Sequence, residues 1–173
     1  CVRNCPVKAI GVRKSHTEVI SERCIGCGKC VHICSQKAKV TTDHIEECRR
    51  LLAGDRAPIA ILGCSHPAFF NDIKSGQLAT GLRRLGFREV HEGAAGADLL
   101  SASYRKSLAA NPGHPLISTH CPTIVELIER HYPQLLKNLV GAVSPMVAIG
   151  RFIKNRIDPR TPVIYVSSCL AGK

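Results

Sequence analysis

The feature that most constrains this chain is a run of four cysteines separated by two, two and three residues. Three thiolates spaced three residues apart can wrap one loop around a cube of iron and sulfide, and the fourth, displaced by one residue, ligates a different cluster. Two glycines within the run let the backbone pass close to such a cluster. The spacing therefore predicts an iron–sulfur site. The run consists of Cys24, Cys27, Cys30 and Cys34, with Gly26 and Gly28 between them.

A second, incomplete copy of this pattern stands at the beginning of the sequence. Cys1 and Cys5, followed by Pro6, match the last two ligands and the trailing proline of the run. Under the crossed-ligand rule, one [4Fe-4S] cluster takes one cysteine from this copy and three from the run. Cys1 and Cys34 are then expected to ligate a second [4Fe-4S] cluster. The complete set for the first cluster is Cys5, Cys24, Cys27 and Cys30.

The two remaining ligands of the second cluster are expected upstream of Cys1. The sequence does not start with Met, and it stops at Lys173 directly after an apolar run. It therefore reads as a fragment cut at both ends.

Zinc and disulfides explain the cysteines less well. A structural zinc site takes four ligands in two separated pairs, and this run is too dense for a single tetrahedron. The remaining four of the ten cysteines are scattered, so the dense part is not a disulfide framework spread over the fold. Clusters and free thiols both point to a reducing cytoplasm. The scattered cysteines are Cys48, Cys64, Cys121 and Cys169.

Residues 1–39 as a whole resemble a bacterial two-cluster ferredoxin. The motif in that family usually ends in Pro, and Ser35 stands there in this sequence without altering the coordination. Two short strands are expected, from Val7 to Val12 and from Thr17 to Ile20. The resemblance implies an α+β, ferredoxin-like iron–sulfur head.

A connecting helix is expected over residues 41–53, where apolar residues recur at helical spacing. Gly54 fits its C-terminal cap, and the pair Ala57-Pro58 starts a new element. The predicted domains are a ferredoxin-like head at 1–39, a helical linker at 40–57 and an α/β domain at 58–173.

Strands and helices alternate through residues 58–173, which indicates right-handed crossovers and a mostly parallel sheet. Ligand sites in such sheets lie beyond the carboxyl ends of the strands. Helices are expected around Leu78 to Leu85, over 94–110, after Cys121 and after Ser144. The expected strands are 59–62, 87–91, 116–118 and 163–166.

Two isolated cysteines each follow an expected strand. Pro122 suits the first position of a helix, which places Cys121 at the N-cap, where helix amides and dipole favour the thiolate. Cys169 follows the last strand in the same way. Two thiols at carboxyl ends of strands are expected to face one crevice. The alternative is that each is a small buried apolar residue.

The segment Ser118 to Pro122 resembles the first H-cluster loop of [FeFe] hydrogenases, T-S-C-C-P. Residues 143–154 resemble the helix that follows it, and Cys169 falls where the second loop, P-C-x-x-K, has its ligand. The likeness runs through 58–173, roughly the first lobe of the hydrogenase-like domain. It implies that Cys121 and Cys169 are candidate ligands of a third, H-cluster-like iron–sulfur site.

Departures from those loops bear on activity. His120 replaces the cysteine that passes protons in active members, and it is the candidate catalytic proton relay because imidazole titrates near neutral pH. Ser168 and Gly172 replace the Pro and Lys of the second loop. Such departures are typical of hydrogenase-like proteins in sensory or regulatory architectures. The resemblance then implies electron transfer from the head clusters, redox or hydrogen sensing, and a C-terminal sensor or signalling domain in the full-length chain.

Charge and composition limit the partners. The net charge is +11, yet basic residues come in pairs rather than blocks, and there are no Trp, three Tyr and four Phe. A nucleic-acid binder more often interleaves a basic stripe with aromatics, so the expected partner is an acidic redox protein that donates or accepts electrons. No run of about 18 apolar residues appears, so no membrane span is expected.

Two alternatives stay open at this point. One is a working [FeFe] hydrogenase that oxidises or evolves hydrogen with His120 as its relay. The other is a basic nucleic-acid-binding protein whose cluster is structural.

Overall fold

The computed structural model describes residues 2–172, and its helices and strands are mixed along the chain. Short 3-10 helices are found at Val2–Asn4, Pro133–Asn138 and Leu170–Gly172. The strands in this part are β1 (Ile10–Arg13), β2 (His16–Val19), β3 (Ile59–Leu62), β4 (Glu89–Glu92) and β5 (Val163–Val166). The helices are α1 (Lys29–His32), α2 (Ile45–Leu52), α3 (His66–Phe69), α4 (Ser75–Arg84), α5 (Ala94–Ala110), α6 (Pro122–His131) and α7 (Pro145–Arg156).

These elements form two compact units. The first unit consists of Cys1–Thr42, Pro112–Gly141 and Leu170–Lys173, and the second consists of Asp43–Asn111 and Ala142–Cys169.

The first unit contains an antiparallel hairpin of β1 and β2, paired from Ile10 with Val19 to Arg13 with His16. The two predicted strands of the head are thus confirmed as elements, but the first begins at Ile10 rather than Val7. Lys8 has a positive φ of 52°, which interrupts extended backbone just before the hairpin. The ferredoxin-like character of this region stays a prediction.

The second unit is built on a parallel sheet in the order β4-β3-β5. All four residues of β3 are buried, because the central strand of a parallel sheet is covered on both faces. Ile59 and Ile61 pack against Ile149 and Ile153 of α7. Alternate residues of a strand point to opposite faces. The other face accordingly has a separate core of Ala60, Leu62, Leu82 and Phe87, flanked by Cys48, Leu52, Leu78, Val90, Ile164 and Val166.

The prediction of a further strand of this sheet at residues 116–118 is wrong. Within Leu116 to Ser118, Ile117 makes a single bridge to Leu139 instead, in the first unit. The Ile117 N–H donates to the Asn138 carbonyl at 2.7 Å, and the Val140 N–H donates to the Ile117 carbonyl at 3.0 Å. These bonds pair the backbone of the segment within the first unit rather than with the sheet of the second unit.

Two helices of the second unit lie where the sequence predicts them, whereas the connecting helix α2 begins at Ile45 rather than at residue 41. Helix α5 occupies the predicted span of 94–110, and α7 begins after Ser144, whose hydroxyl accepts the Val147 N–H at 3.4 Å. Gly96 in α5 lies directly against the Pro145 carbonyl oxygen at the start of α7. A side chain at this position has no space, so the two helices approach each other through the glycine.

Replacing Gly96 with Ala is expected to destabilise the second unit by about 1–3 kcal/mol, because the new methyl group would overlap the Pro145 carbonyl. Gly81→Ala in α4 is the matched control: no atom lies within 4 Å of its Cβ position. That control is expected to gain about 0.5–1 kcal/mol, since Ala is the better helix former. Urea unfolding followed by circular dichroism measures both, and equal stabilities would contradict the close helix approach.

Candidate functional site

Four cysteines of the first unit line one small cavity. Cys24 and Cys27 lie in the loop before α1, Cys30 lies within α1, and Cys5 comes from the turn before the hairpin. These are the four residues that the sequence assigns to a complete cluster. The remaining wall is mostly apolar and includes Pro6, Val7, Ala9, Ile10, Val19 and Ile25.

Backbone amides point at two of these sulfur atoms. The Ala9 N–H donates to Cys5 Sγ at 3.2 Å, and the Gly26 N–H donates to Cys24 Sγ at 3.5 Å. Hydrogen bonds of this kind adjust the reduction potential of a cluster bound to the sulfur. The backbone around these two cysteines therefore supplies donors to sulfur at the cavity.

The arrangement fits a cluster better than a single ion. Among residues 2–172, no three His, Cys, Asp or Glu side chains are arranged to hold one metal ion. A zinc ion needs four ligand atoms converging on one point. In a cube of four irons, each iron takes one thiolate, so the sulfur atoms must be spread around a cavity. Four thiols, an apolar wall and amide donors to sulfur meet that requirement.

The segment 24–30, the ligand loop, is most crowded at Gly28. This glycine caps α1 with a left-handed φ of 71°, and a Cβ placed on it would lie 2.5 Å from Leu170 Cδ1. Leu170 belongs to the 3-10 helix Leu170–Gly172 of the same unit. Two independent constraints, the backbone conformation and the contact with Leu170, thus require glycine here.

Cys34 does not line this cavity and has a separate environment. Its Sγ accepts the Ala38 N–H at 3.2 Å. That bond is the largest cause of a lowered pKa of the Cys34 thiol; burial opposes it, and further backbone donors at Lys39 and Gln36 add to it. A lowered pKa suits a metal-ligating thiol. Its expected companion, Cys1, lies outside the described residues.

Helix α6 carries the other candidate cysteine of the first unit. Cys121 is its N-cap residue and Pro122 its first helical residue, as the sequence predicts. The preceding His120 is exposed, and its Nδ1 forms a hydrogen bond with the Ser118 hydroxyl, which also accepts the His120 N–H at 3.3 Å. The candidate relay is therefore held beside the candidate ligand by a local hydrogen-bonded loop.

The other end of α6 holds the backbone that leads into the ligand loop. Arg130 Nη1 donates to the carbonyl oxygens of Ser21 and Cys24, the latter at 2.8 Å, and His131 Nε2 bonds the Arg23 carbonyl at 2.8 Å. Sequence reasoning missed both side chains, since contacts across more than a hundred residues leave no local pattern. The spacing of Glu126 and Arg130 on one helix face is the one available signal.

A second cavity lies between α6 and this backbone, with a volume of about 350 Å³. Glu126 pairs with Arg130 Nε at 2.5 Å on its wall. Thr123 lies there too, and its hydroxyl is buried without a hydrogen-bond partner among the described residues. Both polar groups stand beside Cys24 and Gly26 of the ligand loop.

Cys169 lies in the second unit, three residues after β5. Its side chain is exposed, and its N–H donates to the Ser167 hydroxyl at 3.1 Å. Cys121 and Cys169 thus belong to different units, and their convergence on one crevice stays a prediction.

Comparison with known families gives two matches along the chain. Residues 57–173 match the family model of the iron-only hydrogenase large subunit, C-terminal domain. Residues 1–45 match the model of the LdpA Fe-S cluster-binding domain.

Individual relatives agree with these matches. The NADP-reducing hydrogenase subunit HndD of Solidesulfovibrio fructosivorans is 29% identical over 99% of this chain, which covers 35% of that protein. Iron hydrogenase 1 of Clostridium pasteurianum is 30% identical over 57% of this chain, which covers 19% of that protein. The chain therefore spans about a third or less of the length of these relatives.

A similar fold occurs in a solved structure from a study of oxygen inactivation of [FeFe]-hydrogenase through damage to the 2Fe subcluster of the H cluster. It superposes with a TM-score of 0.56 at 23% identity and covers 73% of this chain and 38% of that one. In the part of the chain that the structure describes, no helix is long and apolar enough to cross a membrane.

Substitution of Gly28 with Ala is expected to cost more stability than substitution of Gly26. Both glycines have a left-handed φ, but a Cβ on Gly26 meets nothing within 4 Å. Gly26→Ala should therefore cost about 1–2 kcal/mol of backbone strain alone. Gly28→Ala should add about 1–3 kcal/mol from overlap with Leu170.

The double variant Gly28→Ala/Leu170→Ala separates the two terms. Removing the leucine side chain should recover part of the loss at Gly28, whereas Leu170→Ala should not improve Gly26→Ala. Urea unfolding of the three single variants and of the double variants Gly28→Ala/Leu170→Ala and Gly26→Ala/Leu170→Ala measures this. If the effects at positions 28 and 170 on the free energy of unfolding were additive, the contact would not contribute to stability.

Proposed function

Because the chain belongs to the iron-only hydrogenase large-subunit family through residues 57–173, we propose that it transfers electrons from [4Fe-4S] clusters to a hydrogenase-like domain for redox or hydrogen sensing. The resemblance drawn from the sequence is confirmed at the level of the family, with an iron–sulfur-binding domain at the N-terminus. The combination of these two domains supports electron transfer through iron–sulfur groups.

The observation that carries the proposal is the cavity formed by four cysteines from two separate segments. The proposed ligands of a [4Fe-4S] cluster are Cys5, Cys24, Cys27 and Cys30. When bound, such a cluster supplies one-electron redox chemistry.

The surrounding residues have definable tasks. Thiolates hold the irons, and the Ala9 and Gly26 amides donate to sulfur. The buried side chains of Ile10 and Ile25 limit the access of water, which influences the reduction potential.

A second [4Fe-4S] cluster is proposed at Cys34 and Cys1, with its other ligands supplied from outside this sequence. The lowered pKa of Cys34 supports a ligand role. The proposed domains remain 1–39, 40–57 and 58–173, and a reducing cytoplasm is the proposed compartment because exposed thiols persist there. A redox protein is the proposed electron partner.

In the hydrogenase-like domain, Cys121 and Cys169 are the proposed ligands of a third, H-cluster-like site. His120 is the proposed proton carrier beside it. Cys121 lies at the N-cap of α6, directly after His120, which supports the pairing of these two roles. The altered loop residues around both cysteines favour sensing over rapid hydrogen turnover.

Anaerobic reconstitution with iron and sulfide tests the first cluster. The wild-type chain should take up about four iron atoms in this site and show the absorption and paramagnetic resonance of a [4Fe-4S] cluster. Serine substitution at each of the four proposed ligands should abolish that signal. Cys64→Ser, at an exposed cysteine of the second unit, is the matched control and should retain it.

Two results would contradict the assignment. One is a trace of iron only in the wild type. The other is unchanged cluster formation in the four serine variants, which would place the iron on other cysteines.

A further inference from the structure

A cluster of thiols and hydroxyls lies at the carboxyl edge of the parallel sheet in the second unit. Strands β3 and β5 are neighbours with Leu62 opposite Val166, so the segments that leave them run side by side. The Gly63 N–H donates to the Val166 carbonyl at 2.8 Å, and the hydroxyls of Ser65 and Ser168 lie 2.9 Å apart. These bonds hold the two segments together just past the sheet.

Each of these segments carries an exposed cysteine, Cys64 and Cys169. The charges of both thiols act on the Tyr165 hydroxyl. The pKa of Tyr165 is raised mainly by burial, and the negative charges of Cys64 and Cys169 raise it further, while a hydrogen bond to Ser167 opposes them. One phenol oxygen therefore has both sulfur atoms in its electrostatic surroundings.

Counting on from the Leu62–Val166 pair places Cys64 opposite Ser168, the residue directly before Cys169. Neighbouring strands lie about 4.8 Å apart, and disulfides join residues with Cα atoms roughly 4.4–6.8 Å apart, so the bridge would join diagonal neighbours of the two segments. His66 is engaged elsewhere, since its ring nitrogens bond the Gly63 carbonyl at 3.0 Å and the Ser75 hydroxyl at 3.1 Å. His66 therefore does not serve as a base for either thiol.

We propose that Cys64 and Cys169 are a thiol pair that a low-molecular-weight disulfide, such as oxidised glutathione, converts to an intramolecular disulfide. One protein thiolate attacks a glutathione sulfur, breaks its S–S bond and releases one glutathione thiolate. The second protein thiolate then attacks the protein sulfur of the mixed disulfide and releases the other glutathione. The two protein thiols give up two electrons and two protons, and two molecules of reduced glutathione form.

The pair has a consequence for the proposed third site. A sulfur atom in a disulfide cannot serve as a thiolate ligand. Oxidation of the Cys64–Cys169 pair would therefore remove Cys169 from any cluster, and reduction would restore it.

Peptide mapping tests the pair without reading iron. Trypsin places the two cysteines in separate peptides, 57–74 and 161–173, each with a single cysteine. After anaerobic incubation of the full chain with oxidised glutathione and alkylation of free thiols, these peptides should be joined by a bond that a reductant cleaves. Cys48→Ser is the control and should leave the link unchanged.

The single variants Cys64→Ser and Cys169→Ser should stop at the glutathione mixed disulfide on the remaining cysteine. The proposal is overturned if both cysteines of the wild type carry glutathione without a link, or if either one is joined to a different cysteine. Iron uptake by the four-cysteine cavity is measured separately, so failure here is distinct from failure of the proposed function.

A second inference rests on the proposed [4Fe-4S] cluster and on different contacts. The Arg130 guanidinium bonds the carbonyl of Cys24, itself a proposed ligand, and it is paired with Glu126. Both side chains are about a third exposed, and Glu126 Oε2 itself is shielded from solvent. A charge in such a position acts on the cluster more strongly than a fully solvated one.

We infer that Arg130 is a positioning residue of this cluster and that the Arg130–Glu126 pair sets its reduction potential. The positive charge stabilises the reduced, more negative cluster, and Glu126 offsets it. Removal of the positive charge should then lower the reduction potential, and removal of the negative charge should raise it.

Redox titration of the reconstituted chain, followed by paramagnetic resonance, measures the shifts. Arg130→Gln should lower the midpoint potential, Glu126→Gln should raise it, and Arg13→Gln, at an exposed position of β1, should leave it unchanged. If Arg130→Gln assembles no cluster, the sign of the shift in midpoint potential of Glu126→Gln still tests the inference.

Equal potentials in the wild type and Glu126→Gln, or shifts of the same sign in both variants, would overturn this inference. A wild type without any cluster would instead contradict the proposed function. The two failures are therefore distinguishable.

Discussion

The proposed role of four cysteines as cluster ligands requires hydrogen-bond donors to sulfur, and the first unit supplies such donors. A cysteine sulfur that carries charge is costly to bury unless amides or metal ions compensate it. The loop before α1 meets this need with backbone N–H groups, which requires left-handed glycines and close packing of the chain. Arg130 and His131 then hold the carbonyls that the same backbone turns outward. The ligand loop is thus defined by backbone geometry as much as by its cysteines.

The two halves of the protein differ in how far the sequence predicts them. The span of α5 and the strand Ile59–Leu62 are predicted to the residue, because helix formers and a continuous apolar run are local signals. The segment at Leu116 to Ser118 is equally apolar, yet it pairs with Leu139 in the other unit. Three residues do not encode which partner they will take. Arg130 shows the same limit, since its contacts depend on the folded chain.

The candidate site divides in a similar way. The spacing of the cysteines predicts which four belong together, since ligand type and separation are written in the sequence itself. The groups proposed to adjust the reduction potential or to form the thiol pair cannot be recognised in the sequence. The Ala9 amide, the Glu126–Arg130 pair and the Cys64 thiol lack a motif. The amide and the thiol depend on backbone turns and on neighbouring strands, and the ion pair depends on the helix that carries both side chains. Candidate ligands can therefore be proposed from the sequence, whereas the groups that surround them become visible only in the fold.

The contact of Gly28 with Leu170 has a consequence for biosynthesis. Residues 142 positions apart in the chain complete one loop, and a ribosome adds about 5–20 residues per second. The ligand cysteines therefore emerge roughly 7–28 s before the leucine that packs against them. During that interval the loop lacks its final support. Completion of this packing is consequently a late event, which follows translation of the segment that contains Leu170 rather than accompanying that of the loop.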